Sequence, residues 1–283
     1  MSALGPIELL FLLAPLVVVP LARRLIAAAG EATAALSAAR RLQPPAAACV
    51  VASFLLPHRG WAAAGLALPW LVLTALVAWQ GALRLWTRAR DAAEIATAAG
   101  CAMLPVGGGW LVLSRLGVHP LGFEEPIPLL TAVHFHYAAF AALVLVGRAG
   151  REAGGGRVYP SIVAGAIAGP PLLAAGITLS PLLEVVAASL VVAALSGLAV
   201  LTLARIVPRH RGPDGVLLAV SSLSILAGMG LALAYAIGEF TGIGIISLGR
   251  MARIHGPLNG LGFALCGLLG WTWAARNSHP PSL

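Results

Sequence analysis

The sequence predicts an all-α protein, a polytopic bundle of about nine helices that cross a membrane. Of its 283 residues, 59% are hydrophobic and only 10% are charged. A soluble domain carries about 25% charged residues, so this chain cannot cover a water-facing surface. Apolar runs of about 20 residues, the length of a membrane-spanning helix, recur along the chain. These runs are continuous, whereas the strands of a membrane β-barrel alternate polar and apolar positions.

Nine apolar runs are predicted to span the membrane. The second is the weakest, because it starts with Pro44-Pro45 and is short for a bilayer. The preceding stretch, AAAGEATAALSAARRL at 27–42, has a helical composition and is expected to lie at the membrane interface. No repeat or linker is visible, so residues 1–283 are predicted to form one multi-pass membrane domain. The predicted spans are about 5–22, 43–57, 62–83, 94–114, 126–147, 159–179, 181–204, 215–237 and 255–275.

The arginines predict the orientation of the helices. All 18 basic residues are Arg, and the net charge is +8. When the loops between the nine spans are assigned to alternate sides, 14 arginines fall on one side and 4 on the other. Cytoplasmic loops carry the excess of basic residues, which places the N-terminus outside and the C-terminus in the cytoplasm of a plasma-membrane protein. The arginines lie at the ends of apolar runs, so they do not indicate nucleic-acid binding.

Two features of the sequence give no sign of a special chemistry. Cys49, Cys101 and Cys266 lie alone in separate apolar runs, which indicates neither a zinc site nor a redox pair, and no cofactor or metal is predicted. No basic residue precedes the first apolar run, so we interpret that run as a span and not as a cleaved signal peptide.

The fifth predicted span contains an unusual polar motif, AVHFHYAAF at 132–140. A helix turns about 100° per residue, so His134 and His136 point about 200° apart and cannot chelate one metal ion. Thr131, His134 and Tyr137 share one face, whereas His136 points away from it. We therefore expect His134 to face a polar pocket and His136 to make a structural hydrogen bond to a neighbouring helix or a water molecule.

The ninth predicted span opens with a second polar motif, RMARIHGPLNGLGF. Gly256-Pro257 is predicted to start this helix, because proline is favoured in a first turn. His255 would then lie at the positive end of the helix dipole, which favours a neutral imidazole or a bound anion. Asn259 follows four residues later on the same face. A packing motif is the alternative interpretation, because Gly256 and Gly260 permit close helix contact.

These polar residues are predicted to form one cluster in the outer half of the membrane, between the fifth and ninth spans. Ionisable groups within a membrane are costly and usually face the interior of the bundle. Glu125 precedes the fifth span and Glu239 ends the eighth, both on the predicted outer side. The candidate ligand-binding residues are Glu125, Thr131, His134, His136, Tyr137, Glu239, Arg253, His255 and Asn259.

Two stretches, GFEEPIPLLTAVHFHYAAF and, far downstream, MARIHGPLNGLGF, resemble the YndJ-like integral membrane proteins. The resemblance extends over roughly residues 100–283, and the preceding residues match only in hydropathy. The chain has Ala139 where the family pattern has Gly, so a small residue is kept. The resemblance implies a membrane protein and, through the transporter label that the family carries, solute transport, but no reaction. The residues to which it draws attention are His134, His136, His255 and Asn259.

Four functions are compatible with the sequence. The first is a transporter of a small polar or anionic solute, favoured by a Gly-Pro-Pro sequence expected to kink or break the sixth span. The second is a membrane-embedded enzyme acting on a lipid or isoprenoid, with His134 or His255 as the base. The third is a haem or metal protein, because intramembrane histidines permit axial ligation. The fourth is a structural membrane subunit. The expected partners are the lipid bilayer and a small solute or lipid.

Overall fold

The described part of the chain folds into nine long helices. The structure, a computed structural model, describes residues 4–28, 33–88 and 91–277, and no strand occurs within these ranges. The predicted all-α fold is confirmed, and each helix covers one of the nine predicted spans. Arg90 and part of the predicted interfacial stretch, residues 29–32, lie outside the described residues. The helices are α1 Pro6–Ala27, α2 Ala34–Leu55, α3 Trp61–Thr87, α4 Ala92–Leu116, α5 Ile127–Ala153, α6 Tyr159–Leu179, α7 Pro181–Arg209, α8 Pro213–Thr241 and α9 Leu248–Asn277.

Within the described part of the chain, eight helices are long and apolar enough to cross a membrane, and α2 is not among them. Helix α2 runs from Ala34 through Pro44 and Pro45 to Leu55. The last part of the predicted interfacial stretch, residues 34–42, and the predicted second span therefore share one continuous helix. The first half of α2 has two exposed arginines, Arg40 and Arg41, and such a polar side is typical of a helix that lies at a membrane surface.

The chain divides into two compact units. The first comprises residues 1–89 and 98–141, and the second comprises residues 90–97 and 142–283. In the first unit, α2 packs on α3, and α1 packs against the beginning of α5. In the second unit, α6 packs on α7, α7 on α8 and α8 on α9. A single membrane domain and the orientation of the termini stay predictions.

Four of the helices widen locally into π-helical geometry. These segments are Ala14–Val18 in α1, Phe135–Ala141 in α5, Thr202–Ile206 in α7 and Leu258–Leu265 in α9. A π-helix bonds each N–H to the carbonyl five residues back, is rare, and frequently occurs at functional sites. Two of the segments overlap the polar motifs of the fifth and ninth predicted spans, and His134 and His255 lie just outside them. The helix faces predicted for these motifs were those of regular α-helices.

Helix α9 starts earlier than the sequence predicts. It begins at Leu248, two turns before Gly256-Pro257, and Ser247 is its N-cap. The Ser247 hydroxyl accepts a 3.4 Å hydrogen bond from a backbone N–H of the first turn. His255 therefore lies within the helix, and its predicted position at the positive end of the helix dipole was wrong.

The π-helical segment of α1 explains a buried polar contact with α2. Val19 directs its N–H to the carbonyl five residues back, and Pro20 has no N–H to donate. The Pro15 carbonyl instead accepts a 2.8 Å hydrogen bond from Nε2 of Gln43. Buried Arg23 donates to the amide oxygen of Gln43 at 3.0 Å. One glutamine thus compensates for the missing backbone donor and ties two helices together.

The Gly-Pro-Pro sequence of the sixth span does not break the helix. Helix α6 continues from Tyr159 to Leu179 through Pro170 and Pro171. Gly169 lies where α6 meets Val191 of α7 so closely that a Cβ atom would clash. Close packing of α6 on α7 therefore accounts for the glycine.

Candidate functional site

His136 is buried in the core of the first unit, with 0% of its surface exposed. The indole Nε1 of Trp70, on α3, donates a 2.9 Å hydrogen bond to its Nε2 atom. Because the indole can only donate, Nε2 is the acceptor and the ring proton lies on Nδ1. That proton is donated to the backbone oxygen of Ala132 at 2.8 Å. Both ring nitrogens are engaged, and His136 makes the hydrogen bond to a neighbouring helix that the sequence predicts.

Aromatic rings and a glycine enclose the His136 imidazole. The Phe11 ring meets it edge-on at 5.0 Å between centroids, and the Trp70 ring lies beside it, nearly parallel at 21°, with centroids 5.9 Å apart. Gly107 of α4 faces the third side, where a Cβ atom would come within 2.7 Å of Nδ1. The absence of a side chain at Gly107 therefore leaves space for the imidazole ring.

The orientation of the two histidines differs from the prediction. His134 is exposed on α5, and its Nδ1 lies 2.8 Å from the backbone oxygen four residues earlier in its own helix. Tyr137 is buried, and its hydroxyl donates a 2.8 Å hydrogen bond to the backbone oxygen of Leu10 in α1. The interior histidine is His136. A π-helix turns less per residue than an α-helix, so a face counted at 100° per residue does not continue through Phe135–Ala141.

Glu125 belongs to a polar cluster at one end of the first unit. The Ser114 hydroxyl donates to one of its carboxylate oxygens, and the Arg59 guanidinium lies 3.8 Å from the other. Arg115, which follows Ser114 in α4, is buried. Its guanidinium donates to the backbone oxygen of Ser53 at 2.7 Å and to the hydroxyl oxygen of Ser53 at 3.1 Å. These contacts connect the ends of α2, α4 and α5, as expected of residues that stabilise the fold.

His255 and Asn259 form a hydrogen-bonded pair in the second unit. Nδ1 of His255 lies 3.0 Å from the backbone oxygen of Gly228 in α8. A carbonyl cannot donate, so Nδ1 carries the proton and, in the neutral ring, Nε2 is the acceptor. The amide nitrogen of Asn259 donates to Nε2 at 2.5 Å. The two residues that the sequence places on one face of the helix are therefore in contact.

The amide oxygen of Asn259 is a buried acceptor without a hydrogen-bond donor among the described residues. It lies against Gly228, where a Cβ atom would come within 2.5 Å of it. A buried polar group without a hydrogen-bond partner costs about 1–3 kcal/mol of stability. Buried polar groups in native proteins therefore nearly always have a partner. This oxygen can therefore accept a hydrogen bond from an N–H or O–H group of a ligand, or contact a cation.

Three other predicted site residues make only local contacts or are exposed. The Thr131 hydroxyl donates to the backbone oxygen of Ile127 in its own helix at 2.9 Å. Arg253 is exposed, and its Nε atom donates to the backbone oxygen of Gly249 at 3.2 Å. Glu239 is exposed near the end of α8. The geometry thus singles out His255 and Asn259 within the second unit.

Comparison with known proteins identifies the family. A sequence model of the YndJ-like proteins matches residues 9–263. The chain belongs to the YndJ-like protein family. It is 33% identical over 224 residues to the protein named Uncharacterized membrane protein YndJ of Bacillus subtilis (strain 168), a match that covers 78% of this chain and 41% of the relative. The chain therefore spans about two fifths of the length of this curated relative. No solved structure matches the chain.

The two motifs of this YndJ-like chain use their histidines alike. In each, Nδ1 donates to a backbone oxygen and Nε2 accepts from a side-chain N–H, of Trp70 for His136 and of Asn259 for His255. The first arrangement satisfies every polar atom of both side chains, and the second leaves the Asn259 oxygen unpaired. His136 belongs to the first unit and the His255–Asn259 pair to the second, so a common site of the fifth and ninth spans stays a prediction.

The YndJ-like chain also has a charged network in its second unit that was not predicted from the sequence. Nδ1 of His210 lies 2.5 Å from an Asp214 carboxylate oxygen, and its Nε2 lies 4.0 Å from Glu152. Arg148 lies 3.7 Å from Glu152 and covers the Trp271 ring at 4.7 Å. The spacing of four residues between His210 and Asp214, and between Arg148 and Glu152, is a local signal for such pairs. The contacts between the pairs depend on tertiary packing.

Proposed function

We propose that this YndJ-like protein is a plasma-membrane transporter of a small solute, and that His255 and Asn259 belong to its binding site. The buried Asn259 oxygen without a donor supports the proposal most strongly. It lies in one of the helices that are long and apolar enough to span a membrane. In that setting an unpaired polar atom is expensive, and such groups mark the pathways of solutes and ions.

The chemistry of the pair suggests which solutes bind. One N–H of the Asn259 amide is donated to His255, and the atom of this side chain without any partner among the described residues is the acceptor oxygen. The proposed position of His255 at a helix N-terminus, which favoured an anion, is lost because α9 begins at Leu248. A solute with N–H or O–H donors, such as an amine, an amino acid or a polyol, therefore fits better than an anion.

The irregular helix around Asn259 adds support. Asn259 lies in the π-helical segment Leu258–Leu265, which directly follows Pro257. Interrupted helices supply the binding sites of many secondary transporters, because they free backbone groups inside the membrane. The same irregularity permits a local change of helix register, which a transporter needs in order to expose its site alternately to the two sides.

The proposal is tested by solute uptake into proteoliposomes. Radiolabelled amines, amino acids and polyols are offered to the purified protein, to Asn259→Ala and to Asn277→Ala, whose side chain is exposed at the end of α9. We expect uptake of one class by the wild type and Asn277→Ala and about 5- to 30-fold slower uptake by Asn259→Ala, because a lost hydrogen bond to the solute is worth roughly 1–2 kcal/mol. Equal uptake by all three proteins contradicts the proposed site, and no uptake above that of empty liposomes contradicts transport.

The alternative of a membrane-embedded enzyme has less support from the geometry. A general base needs a ring nitrogen within reach of the substrate. Of the two candidate bases, His255 has both ring nitrogens hydrogen-bonded. The other, His134, is exposed on α5, bonds through Nδ1 within its own helix and is not part of the His255–Asn259 pair. Haem ligation meets the same obstacle at His136 and His255, since axial ligation requires a free imidazole nitrogen.

A further inference from the structure

We infer that the second unit binds the phosphate group of an anionic phospholipid, at a cluster of exposed arginines where the α5–α6 loop meets the end of α7 and the α7–α8 loop. The helices that these loops connect are long and apolar enough to span a membrane, which places the loops at its surface, level with the lipid headgroups. The inference does not depend on the proposed transport. The arginine cluster consists of Arg157, Arg205, Arg209 and Arg211, all exposed.

Two contacts bring the end of α7 and the α5–α6 loop together. A Cβ atom at Gly156, in the α5–α6 loop, would lie 3.3 Å from Nη1 of Arg205. Nη1 of Arg209 donates a 3.3 Å hydrogen bond to the backbone oxygen of Glu152, near the end of α5. Arg157 directly follows Gly156 in the chain. Arginines from both parts of the chain therefore meet at one surface of the second unit.

Two carboxylates at this end of the second unit have other partners. A carboxylate oxygen of Glu152 lies 3.7 Å from the guanidinium of Arg148. A carboxylate oxygen of Asp214 lies 2.5 Å from Nδ1 of His210. Among the described residues, neither carboxylate forms an ion pair with a member of the arginine cluster. The positive charge of the cluster is therefore not neutralised by direct pairing with these two groups.

Three members of the cluster, Arg157, Arg205 and Arg211, form no hydrogen bond or ion pair with any described residue. Like charges that lie close together repel one another, so bringing arginines to one surface costs free energy. The excess of arginines on one side of a membrane does not by itself require that arginines of two loops meet. A bound anion offsets the repulsion and accounts for this convergence.

The residue type and the location of the cluster together indicate a lipid phosphate. Guanidinium groups are planar, and their paired N–H donors match the oxygen atoms of a phosphate group. At a membrane surface, the phosphate groups of lipids lie next to the protein, and basic residues at the ends of membrane helices bind anionic headgroups. A headgroup with a net negative charge fits better than a zwitterionic one, because the cation of a zwitterion would lie beside the arginines.

The test measures the thermal stability of the purified protein in detergent with added phosphatidylglycerol, phosphatidylcholine or sodium phosphate. A ligand that binds only the folded state raises the melting temperature. We expect stabilisation by phosphatidylglycerol, with an apparent Kd that rises about fivefold for each arginine replaced in the double variant Arg157→Gln/Arg205→Gln. The matched control is Arg40→Gln/Arg41→Gln, which removes the same charge from exposed arginines of the first unit.

A second double variant, Arg157→Gln/Arg211→Gln, guards against misfolding of the first, because neither of its arginines has a partner among the described residues. Equal stabilisation by phosphatidylglycerol and phosphatidylcholine overturns the inference. An equal loss of the phosphatidylglycerol response in the control and in both cluster variants also overturns it, since general attraction of charges would then suffice. Stabilisation by sodium phosphate as strong as that by phosphatidylglycerol overturns the lipid as the ligand and leaves a site for free phosphate.

Discussion

Trp70 fixes the tautomer of His136, because its indole nitrogen donates a 2.9 Å hydrogen bond to Nε2. The imidazole is therefore locked with its proton on Nδ1, between α3 and the backbone of α5. The HFHY motif, the most conspicuous polar feature of the sequence, thus has its interior histidine in a packed core of the first unit. The motif in α9 has a similarly bonded histidine and, in addition, the amide oxygen of Asn259 without a donor among the described residues.

Removing the indole donor should destabilise the first unit. In Trp70→Phe, the Nε2 atom of His136 keeps its burial and loses its partner, which costs about 1–3 kcal/mol in addition to the lost ring volume. Trp79→Phe is the control in the same helix, because 60% of Trp79 is exposed. Thermal unfolding in detergent should show a lower melting temperature for Trp70→Phe alone. Equal losses in both variants would argue against the bond.

Neighbouring glycines of α4 should respond very differently to an added methyl group. Gly107→Ala forces a Cβ atom against the His136 ring, and overpacking of this kind costs about 1–3 kcal/mol. Gly109→Ala meets nothing within 4 Å and gains helix propensity, so its stability should be unchanged or higher. Unfolding by SDS titration measures both variants. A tolerated Gly107→Ala would show that α4 and α5 are not this close.

The contact between Gln43 and the Pro15 carbonyl should depend on Pro20. Gln43→Leu leaves that buried carbonyl without a donor and should lower the free energy of unfolding by about 1–3 kcal/mol. Pro20→Ala restores a backbone N–H near the carbonyl, so the double variant should lose less than Gln43→Leu alone. Strict additivity of the two changes in a double-mutant cycle would contradict the compensation.

The predicted orientation can be checked by thiol labelling of intact cells. Single cysteines replace Val158, in a predicted inner loop, or Ile243, in a predicted outer loop, after Cys49, Cys101 and Cys266 are changed to alanine. The two positions are comparably exposed, at 67% and 65%. A membrane-impermeant maleimide should label Ile243→Cys in intact cells and Val158→Cys only after permeabilisation. The reverse pattern would invert the orientation that the arginines predict.

The helices could be predicted from the sequence because length and hydropathy are local properties. All nine predicted spans correspond to helices, including the uncertain second, which continues through Pro44 and Pro45. The start of α9 was misplaced because Pro257 is equally acceptable in a first turn and, when packing compensates, inside a membrane helix. The Ser247 cap, eight residues before His255, was the signal that could have corrected it.

The side chains of the site were harder to predict than the helices. The contact between His255 and Asn259 follows from their spacing of four residues, which a local rule captures. Which of the two histidines of α5 is buried depends on packing with other helices, such as the contact of Trp70 with His136. The π-helical segment at Phe135–Ala141 begins just after His134, and no local pattern in the sequence indicates it.

The central claim is that the Asn259 amide oxygen receives a ligand from outside the chain. The most direct measurement is a cryo-EM map, at a resolution that shows ordered water, of protein purified from its own membranes. We predict non-protein density with a donor group or cation within about 3 Å of that oxygen. A protein donor hydrogen-bonded to the oxygen, or a lipid acyl chain packed against it, would contradict the account.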